Sequence, residues 1–265
     1  MRRGLVAIAL TLGLAACTVP LASRAPVPAE GPLPSAATLR SLIEGRRQSL
    51  HSLRAEAHIK VAGAARSGSA RQVLLIQRPD QLRVEVLSLF GSPFVLTTAN
   101  GRLAAYVRDE NRLYRGPATP SNLAQYAGVT LTVPDVVELL LGNPPPRAVK
   151  HASVFYDPST RQIRLRQETP AGAQVVAFSG SPLVPVAVEE LDRANALLWR
   201  AEFGEYELVD GTRVPHSIHF ELPHQNERVD IELQSPELNP TLAQTLFALT
   251  TPPGSEEVRL DGVAD

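Results

Sequence analysis

Cysteine is almost absent: Cys17 is the one example in 265 residues. A single Cys excludes an intramolecular disulfide and every CxxC-type metal or redox centre. Aromatic residues make up only 5%, so a core must be built mainly from aliphatic side chains. Neither sign of charge is in excess: 26 Lys+Arg face 27 Asp+Glu, a net charge of −1. That balance argues against general nucleic-acid binding, which needs a basic surface to displace counterions from phosphates. The motifs GxSxG, GxGxxG, HExxH and the P-loop are also missing.

What is present suits a β-rich globular protein. Hydrophobic residues reach 44% and charged residues 20%, enough apolar material for a sizeable core. The 23 prolines are easier to place in many turns than in helices. Arg2 and Arg3 form a positive start, Gly4 to Leu14 an apolar run, and Leu14-Ala15-Ala16-Cys17 ends it. The run is short of the ~20 apolar residues of a transmembrane helix and has the plan of a cleaved signal. Its ending resembles the bacterial lipobox, which implies cleavage before Cys17 and acylation of that residue. Removing residues 1–16 would leave 24 basic against 27 acidic side chains, −3. Stable anchoring takes at least two acyl chains, at about 0.8 kcal/mol per buried CH₂. Thr18 rather than Asp follows the Cys, and by resemblance to the enterobacterial sorting rule this implies the outer membrane.

Residues 17–34 read as the acylated Cys and a tether, with prolines at 20, 26, 28, 32 and 34. At ~3.1 Å per residue it reaches up to about 50 Å. The remaining 35–265 read as one domain. Ser35 can cap a helix to about Leu50, with Leu39, Leu42 and Ile43 near helical spacing. The period then switches to two. Leu53, Ala55, Ala57, Ile59 and Val61 alternate with polar residues, as do Leu82, Val84 and Val86, then Ile163 and Leu165. Leu197, Trp199, Ala201 and Phe203 repeat the pattern, and so do Val229, Ile231 and Leu233. Asn100-Gly101 and Asp210-Gly211 suit tight hairpins. About ten or eleven strands are expected, too many for a flat sheet. Two helical pieces interrupt them, near 119–127 and 134–142. The second, VVELLL, is apolar almost all round and must be covered; the expected placement is a lid across a curled sheet.

This order of elements resembles the LolA/LolB lipoprotein-carrier family. The resemblance rests on residues 77–107, QRPDQLRVEVLSLFGSPFVLTTANGRLAAYV, on Tyr114-Arg115-Gly116-Pro117 leading into the helices, and on Asn239-Pro240, Phe247, Pro253-Gly254 and Val258-Arg259-Leu260 at the end. It implies a mainly β fold, a half-open antiparallel β-barrel with an N-terminal helix and short lid helices over an apolar cavity. It also implies binding of lipoprotein acyl chains or other lipids, exchange with a periplasmic lipoprotein carrier, and a monomer. Cys17 points to the anchored type, facing the periplasm. A sheet face rich in small and aliphatic residues can leave a dry cavity; a fully packed core is the alternative.

Other candidates are few. Leu89 and Phe90 lie between two strands beside Gly91 and Pro93. The resemblance implies a membrane-facing loop used in lipid transfer; tucking under the barrel is the alternative. Arg115 is either a polar contact at the cavity mouth or a surface residue. His216 and His219, three apart in a strand, point to opposite faces and cannot chelate, and His216 is expected to be a hydrogen-bonded core histidine. Glu205 with Glu207, and Asp230 with Glu232, read as a solvated face rather than an acid–base pair. No catalysis, metal or cofactor is expected. The functional classes left are a lipoprotein or acyl-chain carrier at the outer membrane, and a periplasm-facing lipid- or protein-binding sensor or scaffold. Changing Cys17 to Ser should leave an unacylated precursor; a fatty-acid probe that still labels the Ser variant would contradict the assignment.

Overall fold

The computed structural model describes residues 32–63, 67–89 and 91–261. Cys17, residues 1–16 and most of the tether lie outside the described residues, as does Phe90. The chain opens with α1 (Ala36–Ser49), capped by the Ser35 hydroxyl, which accepts from the Thr38 N–H at 3.1 Å. Leu39 on α1 is fully buried, and Arg46 and Arg47 sit in the last turn, where the helix dipole favours cations. Strands β1 (Ser52–Gly63), β2 (Ser67–Gln77), β3 (Gln81–Val86), β4 (Phe94–Ala99), β5 (Arg102–Val107) and β6 (Arg112–Pro117) follow as a meander. Then come α2 (Pro120–Ala127) and α3 (Val133–Leu140), near the expected places. Each has a Thr cap, Thr119 and Thr132, and α2 ends at Gly128 in the left-handed region.

The second meander comprises β7 (His151–Asp157), β8 (Gln162–Glu168), β9 (Gly172–Ser179), β10 (Val184–Asp192), β11 (Leu197–Val209), β12 (Thr212–Leu222) and β13 (Glu227–Leu238). All strands join one sheet that does not close, in the order β14-β6-β5-β4-β3-β2-β1-β13-β12-β11-β10-β9-β8-β7, where β14 is Glu256–Arg259. The two meanders meet where β1 pairs β13, with Ile59 opposite Ile231. The expected hairpins form: Asn100 and Gly101 have φ of 52° and 69°, Asp210 and Gly211 of 46° and 79°, the positive values a type I′ turn needs.

The sheet has fourteen strands, more than the ten or eleven expected, and one pairing differs in kind. β14 runs parallel to β6; every other pair is antiparallel. The strands hard to see are buried on both faces. In β4 Val95, Leu96, Thr97 and Thr98 are all buried, because a returning C-terminal segment covers its outer face. There Leu242 and Phe247 pack on Leu75 as a small separate core. In β9 the outer Val175 and Ala177 lie opposite Arg166 and Arg164. Arg164 and Arg200 share Glu189, at 2.9 and 3.4 Å; such stems can cover apolar surface while their heads stay polar.

One hydrophobic core joins the inner face of the sheet to all three helices. Past α3 the chain turns at Gly142, whose φ is 70°, and a Cβ there would sit 2.7 Å from the ring of Pro215. The left-handed conformation and the contact together should make Gly142→Ala cost about 2–4 kcal/mol. An unchanged urea midpoint for that variant would contradict this reading of the turn.

Candidate functional site

The inner face of β1–β4, β12 and β13 is the floor of a cavity, and α2 and α3 are its roof. The cavity has a volume of about 240 Å³. Ile59, Leu74, Val84, Phe94, Leu96, Phe220 and Ile231 line the floor; Ala127, Val136 and Leu140 face them from the helices. Apart from Gln72, and Tyr126 near one end, the lining is aliphatic or phenyl. Such a cavity offers water few partners, and voids of about 150 Å³ lined by Leu, Ile and Phe stay dry. Tyr126 stacks obliquely on Tyr114, with ring centroids 5.2 Å apart. Burial, reinforced by Tyr114 and the Glu110 carboxylate, pushes the Tyr126 phenol up to about 12, so it stays protonated.

The roof is held by a carboxylate. Glu138 is the charge inside the apolar VVELLL run, and it is 4% exposed. Arg78, in the β2–β3 turn, donates to it through Nε at 2.8 Å and Nη2 at 2.7 Å. Arg47 of α1 donates to the same carboxylate at 3.1 and 3.3 Å, and Arg78 reaches the Arg47 carbonyl at 3.0 Å. Paired hydrogen bonds from guanidinium to carboxylate are among the strongest and most directional available. A second cluster holds the other end of α3. Arg147 bonds both oxygens of Asp135, at 2.8 and 3.1 Å, and Glu190 on β10 at 3.1 Å. Burial dominates at Glu190 and pushes its carboxyl above the usual range, although Arg147 and Gln174 work against the shift.

The sequence candidates fall around this cavity rather than in it. Leu89 is 98% exposed and does not tuck under the barrel. Its loop adjoins the cavity rim, since Val86 before it and Phe94 after it both line the cavity. The loop is tied to the sheet: Ser92 bonds the Glu85 carboxylate, and the Arg108 N–H donates to the Pro93 carbonyl at 2.9 Å. Arg115 is not a cavity-mouth contact. It ties down the C-terminal segment, reaching the Leu249 carbonyl at 2.5 Å and Glu257 at 3.3 Å. His216 departs from expectation too: it is half-buried, but its Nε2 makes no hydrogen bond and lies 3.5 Å from Glu207. Glu207 pairs across the strands with Val214 rather than with His216, so its carboxylate approaches the ring only obliquely. His219 points the other way and bonds Asp230. Among the described residues no group of three His, Cys, Asp or Glu side chains could hold a metal ion. No described helix is long and apolar enough to cross a membrane.

No protein-family model and no curated protein sequence matches the chain. Solved structures do. A DUF1329 family protein from Desulfovibrio piger superposes with a TM-score of 0.58 at 13% identity, over 80% of this chain and 95% of that one. A putative outer membrane lipoprotein-sorting protein domain from Vibrio parahaemolyticus gives 0.57 at 15%, over 80% and 97%. A LolA superfamily protein from Nitrosomonas europaea gives 0.55 at 12%, over 79% and 97%. The fold is LolA-like. At these identities the likeness is one of architecture, a half-open barrel with helices across it.

Within this LolA-like frame, the residues that sequence reasoning missed are Glu138, Arg78, Arg47 and Arg147. A lone acid in an apolar run is a signal in itself, because a buried charge must be paired. Nothing in the linear pattern names Arg78, 60 positions away. Glu138→Ala leaves Arg78 buried and unpaired and should cost about 3–5 kcal/mol in denaturant unfolding. The double variant with Arg78→Ala should recover part of that loss; additive losses would contradict the clamp.

Proposed function

We propose that this chain is a membrane-anchored lipoprotein that takes acyl chains of lipoproteins into the apolar cavity and takes part in their localisation to the outer membrane. The observation that carries the reading is the 240 Å³ cavity between sheet and lid. A scaffold has no use for a void, since each one forfeits packing energy. A carrier needs one, and needs its roof attached by contacts that can exchange. The ionic clamp on α3 meets that need better than a continuous apolar seam. The solved structure described as an outer membrane lipoprotein-sorting protein domain is consistent with this role.

In this reading Cys17 carries the acyl anchor, the Pro-rich tether sets the reach, and the protein works as a monomer facing the periplasm. Its partner is a loaded periplasmic carrier of lipoproteins. It performs no chemistry on its ligand and needs no cofactor. Leu89, with Phe90 beside it in sequence, touches the bilayer and brings the cavity rim to the lipid. Insertion of one large apolar side chain contributes about 1.5–3 kcal/mol, enough to orient a protein already tethered.

Two measurements test this. Native mass spectrometry of protein purified without detergent should show a population heavier by the mass of an acyl-chain lipid; a wholly bare protein that also takes up no lipid on incubation would sink the reading. Replacing Leu89 and Phe90 by Glu should leave the urea midpoint unchanged, given the exposure of Leu89, while lowering lipoprotein insertion into liposomes. Unchanged insertion would remove the loop from the mechanism.

A further inference from the structure

The cavity is small for the ligand just proposed. A void of about 150 Å³ lined by Leu, Ile and Phe accepts benzene. By the same measure the 240 Å³ here holds about ten carbons. Acyl chains that fill half of an about 30 Å hydrocarbon core are longer. The rest of the chain and its carbonyl need a place that adjoins the cavity.

A cleft of about 360 Å³ meets that condition. It lies between the α2–α3 link, residues 128–132, and the turn Pro223–Gln225. Leu131 lines both the cleft and the cavity and is 5% exposed. It sits in a link without helix or strand, attached across the cleft by one hydrogen bond between Thr130 and Gln225. A side chain so placed can swing aside without breaking sheet or helix. Trp199 of β11, the one Trp of the chain, also lines the cleft and is 6% exposed. Its indole is a donor only, and among the described residues it meets no acceptor. His224 is exposed to solvent, and the other polar side chains of the cleft have partners, Thr130 and Gln225 in each other. The Thr132 hydroxyl caps α3, and Asp135 is neutralised by Arg147. The cleft thus offers one donor on a buried side chain, open to a ligand and without a charge beside it to balance, which suits an uncharged acceptor at the end of an apolar chain.

We infer that this cleft is the portal for an esterified acyl chain: Leu131 is the gate into the cavity, and the Trp199 indole N–H donates to the ester carbonyl. The inference rests on the carrier reading, and its test separates the two. The ligands are 1-palmitoylglycerol and its ether analogue 1-hexadecylglycerol, which lacks the carbonyl. The unaltered protein should bind the ester several-fold more tightly than the ether, with a shift in Trp199 emission. Trp199→Phe should abolish that preference, and Leu131→Ala should speed association several-fold relative to Leu131→Phe. Binding of both ligands with equal affinity and no change in emission would overturn the portal and leave the carrier reading standing. Binding of neither to the unaltered protein would overturn the carrier reading and the portal with it. The emission readout needs no variant, so a misfolded substitution cannot obscure the answer.

Discussion

One buried carboxylate decides how this molecule is closed. Glu138 points out of an otherwise apolar helix and is met by two guanidinium groups from different parts of the chain. Without partners its burial would cost several kcal/mol. With them it fixes α3 to α1 and to the β2–β3 turn at once. The energetic character matters as much as the strength. An apolar seam would be satisfied only in the closed arrangement, whereas charged groups also find good partners in water. A lid held this way is firmly placed when shut and loses less when it opens.

The sheet imposes the need for such a lid. Fourteen strands that curl without closing leave an inner face that must be covered, and three helices are few for that surface. The core has little aromatic bulk, with Phe178 as the one aromatic among its largest fully buried side chains. The mainly aliphatic side chains of the sheet do not fill the space beneath α2 and α3, and a void of about 240 Å³ remains. On the outer face the same shortage is met differently. The C-terminal segment packs Leu242 and Phe247 over Leu75, and Arg164 of β8 reaches across β9 to Glu189 on β10. The inner void is thus not a general looseness of packing, since the outer face is covered even where it requires a long return of the chain.

Much of this was legible in the sequence, for physical reasons that can be named. Half-buried strands betray themselves by alternation, so β1, β3, β11 and β13 were readable, with Leu53, Ala55 and Ala57 buried as their pattern requires. The helix cap Ser35 and the two hairpins were readable because turn chemistry is local. β4 and β9 were harder, because burial on both faces erases the alternation. The parallel pairing of β14 depends on a long return that no local pattern records. The site divided the same way. The apolar lining was foreseeable as a class, and Leu89 was foreseeable as a conspicuous residue. Arg78 and Arg47 were not, because ion pairs across the chain are set by tertiary approach rather than by spacing.

The central claim is that a dry apolar cavity lies between Val136 and Leu140 of the lid and Leu74, Leu96 and Phe220 of the sheet. Xenon is the most direct probe, since it enters dry apolar voids and is indifferent to hydrogen-bonding groups. Diffraction from crystals held under xenon pressure should show the atom bound at that place with α3 in contact. A cavity filled by ordered water, or side chains collapsed together with no xenon among them, would contradict the account.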